Sequence, residues 1–364
     1  MKNDIYYEPL SSEQFALATN MFAFFERWTA VVERLDNLRG GMHWKTVAGK
    51  QYLFRTRDRY GNGQSFGPRN PDTENLYYEF RRDKSELKEK EKALRKKIVE
   101  QAALCRAAGV GRAPRVITAI ARNLWRQGYA TSAIITGNAA MYAYESACGV
   151  RFVRGSSDLS DYDPMFEAKS FLKLIVLRVP GLNRLGPEKG ADFCMLRRFS
   201  GAKNPIDAIS KADRSFVPEA KGSSREMRNK AGYRVEVVES EVVRPESPYM
   251  LTGERTFVNL DHEHQGWFVN KPWFKQTVIG EDGFPAPFVV ADPRIFALNK
   301  YRLSFDAGRG TQAISDRKHA IMVAQVLVRY MPHLSFNDPE IEALPCFKPR
   351  GALPPPEVLL NDKI

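Results

Sequence analysis

With 364 residues, 43% of them hydrophobic, the chain has room for two or three domains, or for one elaborated domain, and the composition of a soluble globular protein. No apolar run reaches the roughly 18–20 residues of a membrane span, and Met1-Lys2-Asn3-Asp4-Ile5 carries no secretory signal, so the reading is a cytoplasmic protein with no membrane partner. The net charge of +12 favours polyanionic company, nucleotide or nucleic acid.

In chain order, Gln14 to Leu38 has apolar residues at helical spacing (Phe15, Ala18, Met21, Phe22, Phe25), and Gly40-Gly41 stops that helix. Gly61 to Pro71 reads as a loop. Thr73 to Glu100 is a charged helix in which Glu86 with Lys90, Glu89 with Lys92 and Glu91 with Arg95 fall at ion-pair spacing. That pattern describes a solvated helix, with a nucleic-acid-binding arm as the sharper alternative. Arg115 to Gln127 is a third helix. From Ser132 the period changes to strand, helix, strand, and a helical region follows around Phe166 to Leu177. Ile206 to Ile209 starts another helical piece.

Tyr233–Val238, Thr256–Leu260, Trp267–Phe268, Thr277–Ile279 and Phe288–Val290 read as strands of one sheet. Asp292-Pro293 supplies an N-cap and a proline at the first helical position, and Ile314 to Met331 is the last long helix. Pro345 to Pro356 reads as an extended tail. Cys105, Cys148, Cys194 and Cys346 show no Cys-x-x-Cys spacing and read as reduced thiols, not zinc ligands.

Three features carry chemistry. The apolar strand ending at Ile135 breaks at Thr136-Gly137-Asn138 into a helix, which frees backbone amides to face phosphate oxygens. Taken alone, such a turn is most often only a turn. Asp161 and Asp163, if in a strand, would point to one face, and two carboxylates so close call for a cation. An acidic surface loop at 158–163 is the plain alternative. Glu236 stands in the alternating strand Tyr233-Arg234-Val235-Glu236-Val237, where a third acid would complete a two-metal clamp.

Other residues are weaker candidates. Arg294 and Lys300 would contact a triphosphate, or are ordinary charges on an amphipathic helix. His262 and His264 around Glu263 fit a polar turn better than a metal cluster. Tyr142 and Tyr144 cannot share one helix face, and Asp213-Arg214-Ser215-Phe216 reads as a structural corner.

These residues, with Tyr60-Gly61, Ser65-Phe66-Gly67, Gly111-Arg112-Ala113-Pro114, Tyr144-Glu145, Gly149-Val150 and Phe296 through Lys300 in the same order, make the chain resemble the DNA polymerase beta-like nucleotidyltransferase superfamily. Within it the chain looks closest to an uncharacterised bacterial nucleotidyltransferase-fold family. The resemblance implies an α+β fold: a polymerase-beta-like core with a mixed sheet and helices at 128–291, an N-terminal helical region at 1–127, and a C-terminal helical region with a proline-rich tail at 292–364.

It also implies transfer of a nucleoside monophosphate from an NTP to a hydroxyl acceptor, with Mg²⁺ (or Mn²⁺) on Asp161, Asp163 and Glu236. Gly137, Asn138, Arg294 and Lys300 would hold the nucleotide. The acceptor reads as tRNA, another RNA, a protein hydroxyl or a small molecule, and a toxin-like or defence role belongs among the readings. Tyr162 and Pro164 depart from the apolar residues that accompany the paired acids in the family, Glu236 stands where an aspartate is more frequent, and Gln312 replaces an expected lysine. A non-catalytic protein that binds nucleotide or RNA through a worn site is the competing class.

Overall fold

The computed structural model describes residues 5–56, 62–129, 132–153, 165, 167–178, 204–219, 226–241 and 273–342. The chain divides into two compact units, one formed by Met1–Phe15 with Gly109–Ile364 and the other by Ala16–Ala108. The boundary falls at Gly109. Helix α3 (Arg115–Arg126), which the sequence places with the N-terminal region, therefore groups with the sheet-bearing unit, where it packs on β12 (Pro285–Ala291) and α5 (Pro205–Ala212).

The Ala16–Ala108 unit is not only helical. It holds most of α1 (Ser12–Asn37), a three-stranded antiparallel sheet of β2 (Gly41–Val47), β3 (Lys50–Thr56) and β4 (Gly63–Pro68), and α2 (Pro71–Ala107). Asn70 starts α2 through a reciprocal cap: its Oδ1 accepts from Thr73 N at 2.8 Å, and Thr73 Oγ1 accepts from Asn70 N at 2.9 Å. Pro71 at the first helical position needs no hydrogen bond there. Glu91, at ion-pair spacing from Arg95, accepts from Trp28 Nε1 at 2.9 Å. Leu53, Phe80 and Leu87 are among the buried side chains of this unit.

In the other unit the described strands form a mixed sheet ordered β11–β12–β5–β7–β10–β9–β8. The labels denote β5 (Ala133–Thr136), β7 (Phe171–Arg178), β8 (Val217–Pro218), β9 (Glu226–Arg228), β10 (Arg234–Glu241) and β11 (Trp273–Ile279). β12 runs parallel to β5, β5 antiparallel to β7, and β7 parallel to β10. The mixed sheet with helices agrees with the α+β expectation. The short β1 (Tyr7–Pro9) pairs with β6 (Val150–Phe152) apart from the large sheet.

Phe171–Arg178 is a strand, not the helix expected there. It is central in the sheet and apolar on both faces: Leu172 and Leu174 are buried to one side and Ile175 to the other. A run apolar on both faces loses the two-residue alternation by which a strand is recognised.

The largest cluster of core residues lies on one face of this sheet. Ala133, Ile135, Leu172, Leu174, Val235 and Val237 belong to one buried cluster with Ile117 and Ile120 of α3, Tyr144 of α4 (Met141–Cys148), and Phe296 and Ile321 of α6 (Pro293–Leu303) and α7 (Thr311–Tyr330). Within this cluster the Tyr144 hydroxyl donates to Ala291 O at 2.9 Å, which ties α4 to the end of β12. Cys105 and Cys148 are free and buried, and burial pushes their thiols up to about 11 and about 12. Both are therefore protonated and unreactive at neutral pH.

The Asp213 corner exists as expected. Asp213 Oδ1 accepts from Ser215 N and Ser215 Oγ, both at 2.8 Å, and Oδ2 accepts from Asn229 Nδ2 at 2.9 Å. The Ser215 amide and hydroxyl hold this carboxyl below its ordinary value. A depressed carboxyl contributes its full stability above the unfolded carboxylate range and loses it as pH falls through the folded value. Asp213→Ala is expected to cost about 1–2 kcal/mol. Asp213→Asn should remove this corner's share of the acid sensitivity, read from urea midpoints at a series of pH values.

Candidate functional site

The site is built at the end of the sheet where β5 stops. Thr136 is the last extended residue (φ −121°, ψ −179°), and Gly137 turns the chain with φ 66° into a short 3₁₀ turn, Gly137–Ala140, that runs on into α4. A positive φ is cheap for glycine and costly for a β-carbon, which is why the break falls there. A β-carbon on Gly137 would meet no atom of the described residues within 4 Å.

Asn138 is buried, and neither the 3₁₀ turn nor α4 carries a side-chain cap, so the capping role open to it is not taken up. Its Oδ1 has no hydrogen-bond partner among the described residues. Amide oxygen and nitrogen exchange places in a flipped side chain, and in that orientation the same position offers a donor to a ligand oxygen.

Register places the next groups. Thr136 lies opposite Lys173 of β7, Lys173 opposite Glu236 of β10, and Glu236 opposite Glu226 of β9. Residues in direct register share a face, so these four side chains form one row across the sheet, on the face opposite the core cluster. Lys173 Nζ lies 3.1 Å from Glu236 Oε1, each side chain one-quarter exposed, and Thr136 Oγ1 donates to Lys173 O at 3.2 Å. The structure thus brings Gly137, Asn138 and Glu236 to the same end of the sheet, with Lys173 between the turn and the acid.

Sequence reading passed over Lys173, since a lone lysine in Phe-Leu-Lys-Leu-Ile-Val carries no spacing signal. Only the pairing of β7 with β10 shows that it faces Glu236.

Asp161 and Asp163 lie outside the described residues, as do His262, His264 and the 345–356 tail. Among the described residues no group of three His, Cys, Asp or Glu side chains is arranged to hold a metal ion. The described part of the row offers Glu236, already countered by an ammonium, and Glu226 one strand farther out, so it does not by itself make a divalent-cation site.

Arg294 and Lys300 stand on α6, buried. Arg294 donates through Nε and Nη2 to Asp292 at 3.0 and 2.8 Å, and through Nη1 to Ser335 O and Asp338 at 2.8 and 2.9 Å. Lys300 Nζ reaches Asp316 Oδ1 at 2.6 Å, and Arg309 Nε holds the other oxygen of that carboxylate at 2.6 Å. In this structure both cations are committed to ion pairs of the C-terminal helices, and neither is the exposed charge on an amphipathic helix that was the plainer alternative. Tyr142 and Tyr144 are both buried. Among the described residues no helix is long and apolar enough to cross a membrane.

Residues 189–345 match the model of a protein family described as nucleotidyltransferase. The match spans less than half of the chain. It takes in Glu236, Arg294 and Lys300, and it leaves Gly137, Asn138, Asp161 and Asp163 outside. No curated protein and no solved structure matches the chain. The family match supports placement in the nucleotidyltransferase superfamily and nucleotidyl transfer as the general class of activity.

Proposed function

We propose that the protein transfers a nucleoside monophosphate from an NTP to a hydroxyl acceptor and releases pyrophosphate. The observation that carries this reading is the row Thr136–Lys173–Glu236 beside the Gly137–Asn138 turn, on the face of the sheet away from the core, in a chain whose later part matches a nucleotidyltransferase family. The backbone at Gly137 and Asn138 would take the triphosphate, with amides pointing at its oxygens and no β-carbon in the way. Lys173 adds a point charge where the phosphates would lie. Glu236 would orient the acceptor hydroxyl once its ammonium partner turns to the phosphates.

Mg²⁺ (or Mn²⁺), held by Asp161, Asp163 and Glu236, would supply positive charge against the phosphates and acidify the acceptor hydroxyl. The acceptor is proposed to be a tRNA or other RNA, in keeping with the net charge of +12. A toxin-like or defence role is one setting for such a modification.

A second reading is favoured by one observation, the Lys173–Glu236 ion pair at 3.1 Å. It is a protein that holds a nucleotide on Lys173 and the Gly137–Asn138 turn and performs no transfer. Incubation with labelled ATP, CTP, GTP or UTP, Mg²⁺ and total RNA separates the two. Label transfer is expected, and Asp161→Ala or Asp163→Ala should each lower it by about 100-fold or more. Nucleotide binding that both substitutions leave intact, with no transfer under Mg²⁺ or Mn²⁺, would instead establish the binding protein.

A further inference from the structure

The sheet of the Ala16–Ala108 unit presents two unlike faces. Trp44, Leu53 and Arg55 point towards α2, where Trp44 meets Tyr77 with ring centroids 5.8 Å apart and the Arg55 guanidinium lies 5.2 Å from the Phe80 ring. The opposite face carries three consecutive cross-strand pairs, His43 with Phe54, Lys45 with Tyr52, and Val47 with Lys50. His43, Lys45, Val47 and Lys50 are exposed, and Tyr52 and Phe54 are half-buried. The His43 and Phe54 rings are 5.8 Å apart, and Lys45 Nζ stands 5.6 Å from the Phe54 centroid. Phe66, at the β-bulge of β4, is a further exposed ring.

Composition decides what such a face fits. None of the residues of β2, β3 and β4 is an aspartate or glutamate, so no carboxylate of these strands opposes Lys45 and Lys50. The whole unit has 19 basic and 12 acidic residues, a balance of +7 out of the chain's +12 in about a quarter of its length. Rings alone would suit any apolar partner, and lysines alone any acidic one. Rings two residues apart on an open antiparallel face, with lysines beside them, suit successive bases joined by phosphates. Cross-strand pairs on one face repeat about every 7 Å, so the three pairs offer room for two or three nucleotides.

We propose that this outward face of β2–β4 is a binding site for single-stranded nucleic acid, with bases stacked on His43, Tyr52 and Phe54 and phosphates met by Lys45 and Lys50. The inference stands on the geometry of this unit and does not rest on the transferase reading, so either can fail without the other.

The test is fluorescence anisotropy of the full chain with labelled oligouridine, labelled oligothymidine and a duplex of the same length, across a salt series. Single strands should bind more tightly than duplex, with affinity falling as salt rises. Tyr52→Ala should weaken single-strand binding by about tenfold, and Tyr52→Phe, which keeps the ring, should restore it. Lys45→Gln with Lys50→Gln should weaken binding and flatten its salt dependence. If Tyr52→Ala fails to fold, the exposed Lys50→Glu substitution carries the test, with a loss expected for every single strand. The proposal is overturned if single strands do not bind, if duplex binds equally well and Tyr52→Ala changes nothing, or if polyglutamate occupies the face in preference to oligonucleotide. A preference for oligouridine over oligothymidine would identify RNA as the ligand, and equal affinities would extend the site to both nucleic acids.

Discussion

Glu236→Gln is expected to lower nucleotidyl transfer by about 100-fold or more while leaving the fold in place. The substitution keeps the size of the side chain and removes only its charge. The Lys173–Glu236 pair is one-quarter exposed on both sides, so its loss should cost no more than about 1 kcal/mol of stability. The drop in transfer therefore measures chemistry, not folding. Lys173→Met, tested beside it, separates the two roles argued for this row. If Lys173 holds phosphates, nucleotide binding weakens and KM rises; if it only neutralises Glu236, binding is unchanged. A Glu236→Gln protein that transfers label at the original rate would remove this acid from the site.

Asp316→Ala is expected to be among the most damaging single changes in the C-terminal helices. Its carboxylate, with a side chain 3% exposed, is shared by Lys300, whose side chain is 8% exposed, and by Arg309. Removing it strands the Lys300 ammonium in a buried position, at a cost of about 3–5 kcal/mol. A thermal melt followed by circular dichroism should show the sheet-bearing unit melting roughly 10 °C lower. The double substitution Asp316→Leu with Lys300→Met removes both charges and should recover most of that loss. It also tests the nucleotide-contact reading of Lys300. If the double variant regains stability and binds NTP as the parent does, Lys300 is structural. If stability returns and NTP binding does not, the lysine serves the ligand as well.

Local signals were legible where a residue acts on its own stretch of chain. The Asp292 cap, the Gly137 break and the periodic faces of α1 and α3 follow from φ preferences, capping chemistry and the 3.6-residue repeat, and these elements fall close to where the sequence puts them. β7 was not legible because its burial on both faces erases alternation. β2 to β4 were not legible because short strands between glycines resemble turns until their partners are known. Glu236 could be singled out from its own strand. Lys173 could not, because its significance comes from a partner in another strand.

The reaction class to look for was written in the chain itself: a glycine turn at the end of an apolar strand, the Asp161-x-Asp163 pair and a later acid in an alternating strand, with the excess of positive charge favouring a polyanionic partner. Each is a property of a short window or of the whole composition. The tertiary structure alone decided which groups meet. Sheet register set Lys173 against Glu236 beside Thr136, packing of α6 on α7 drew Lys300 into a buried ion pair with Asp316, the chain beyond α7 brought Asp338 to Arg294, and the β2–β3 pairing gathered rings and lysines on one open face. The physical reason is that strand pairing and helix packing are contacts between distant segments. Their partners are chosen by the shared burial of apolar faces, which no single window of sequence contains.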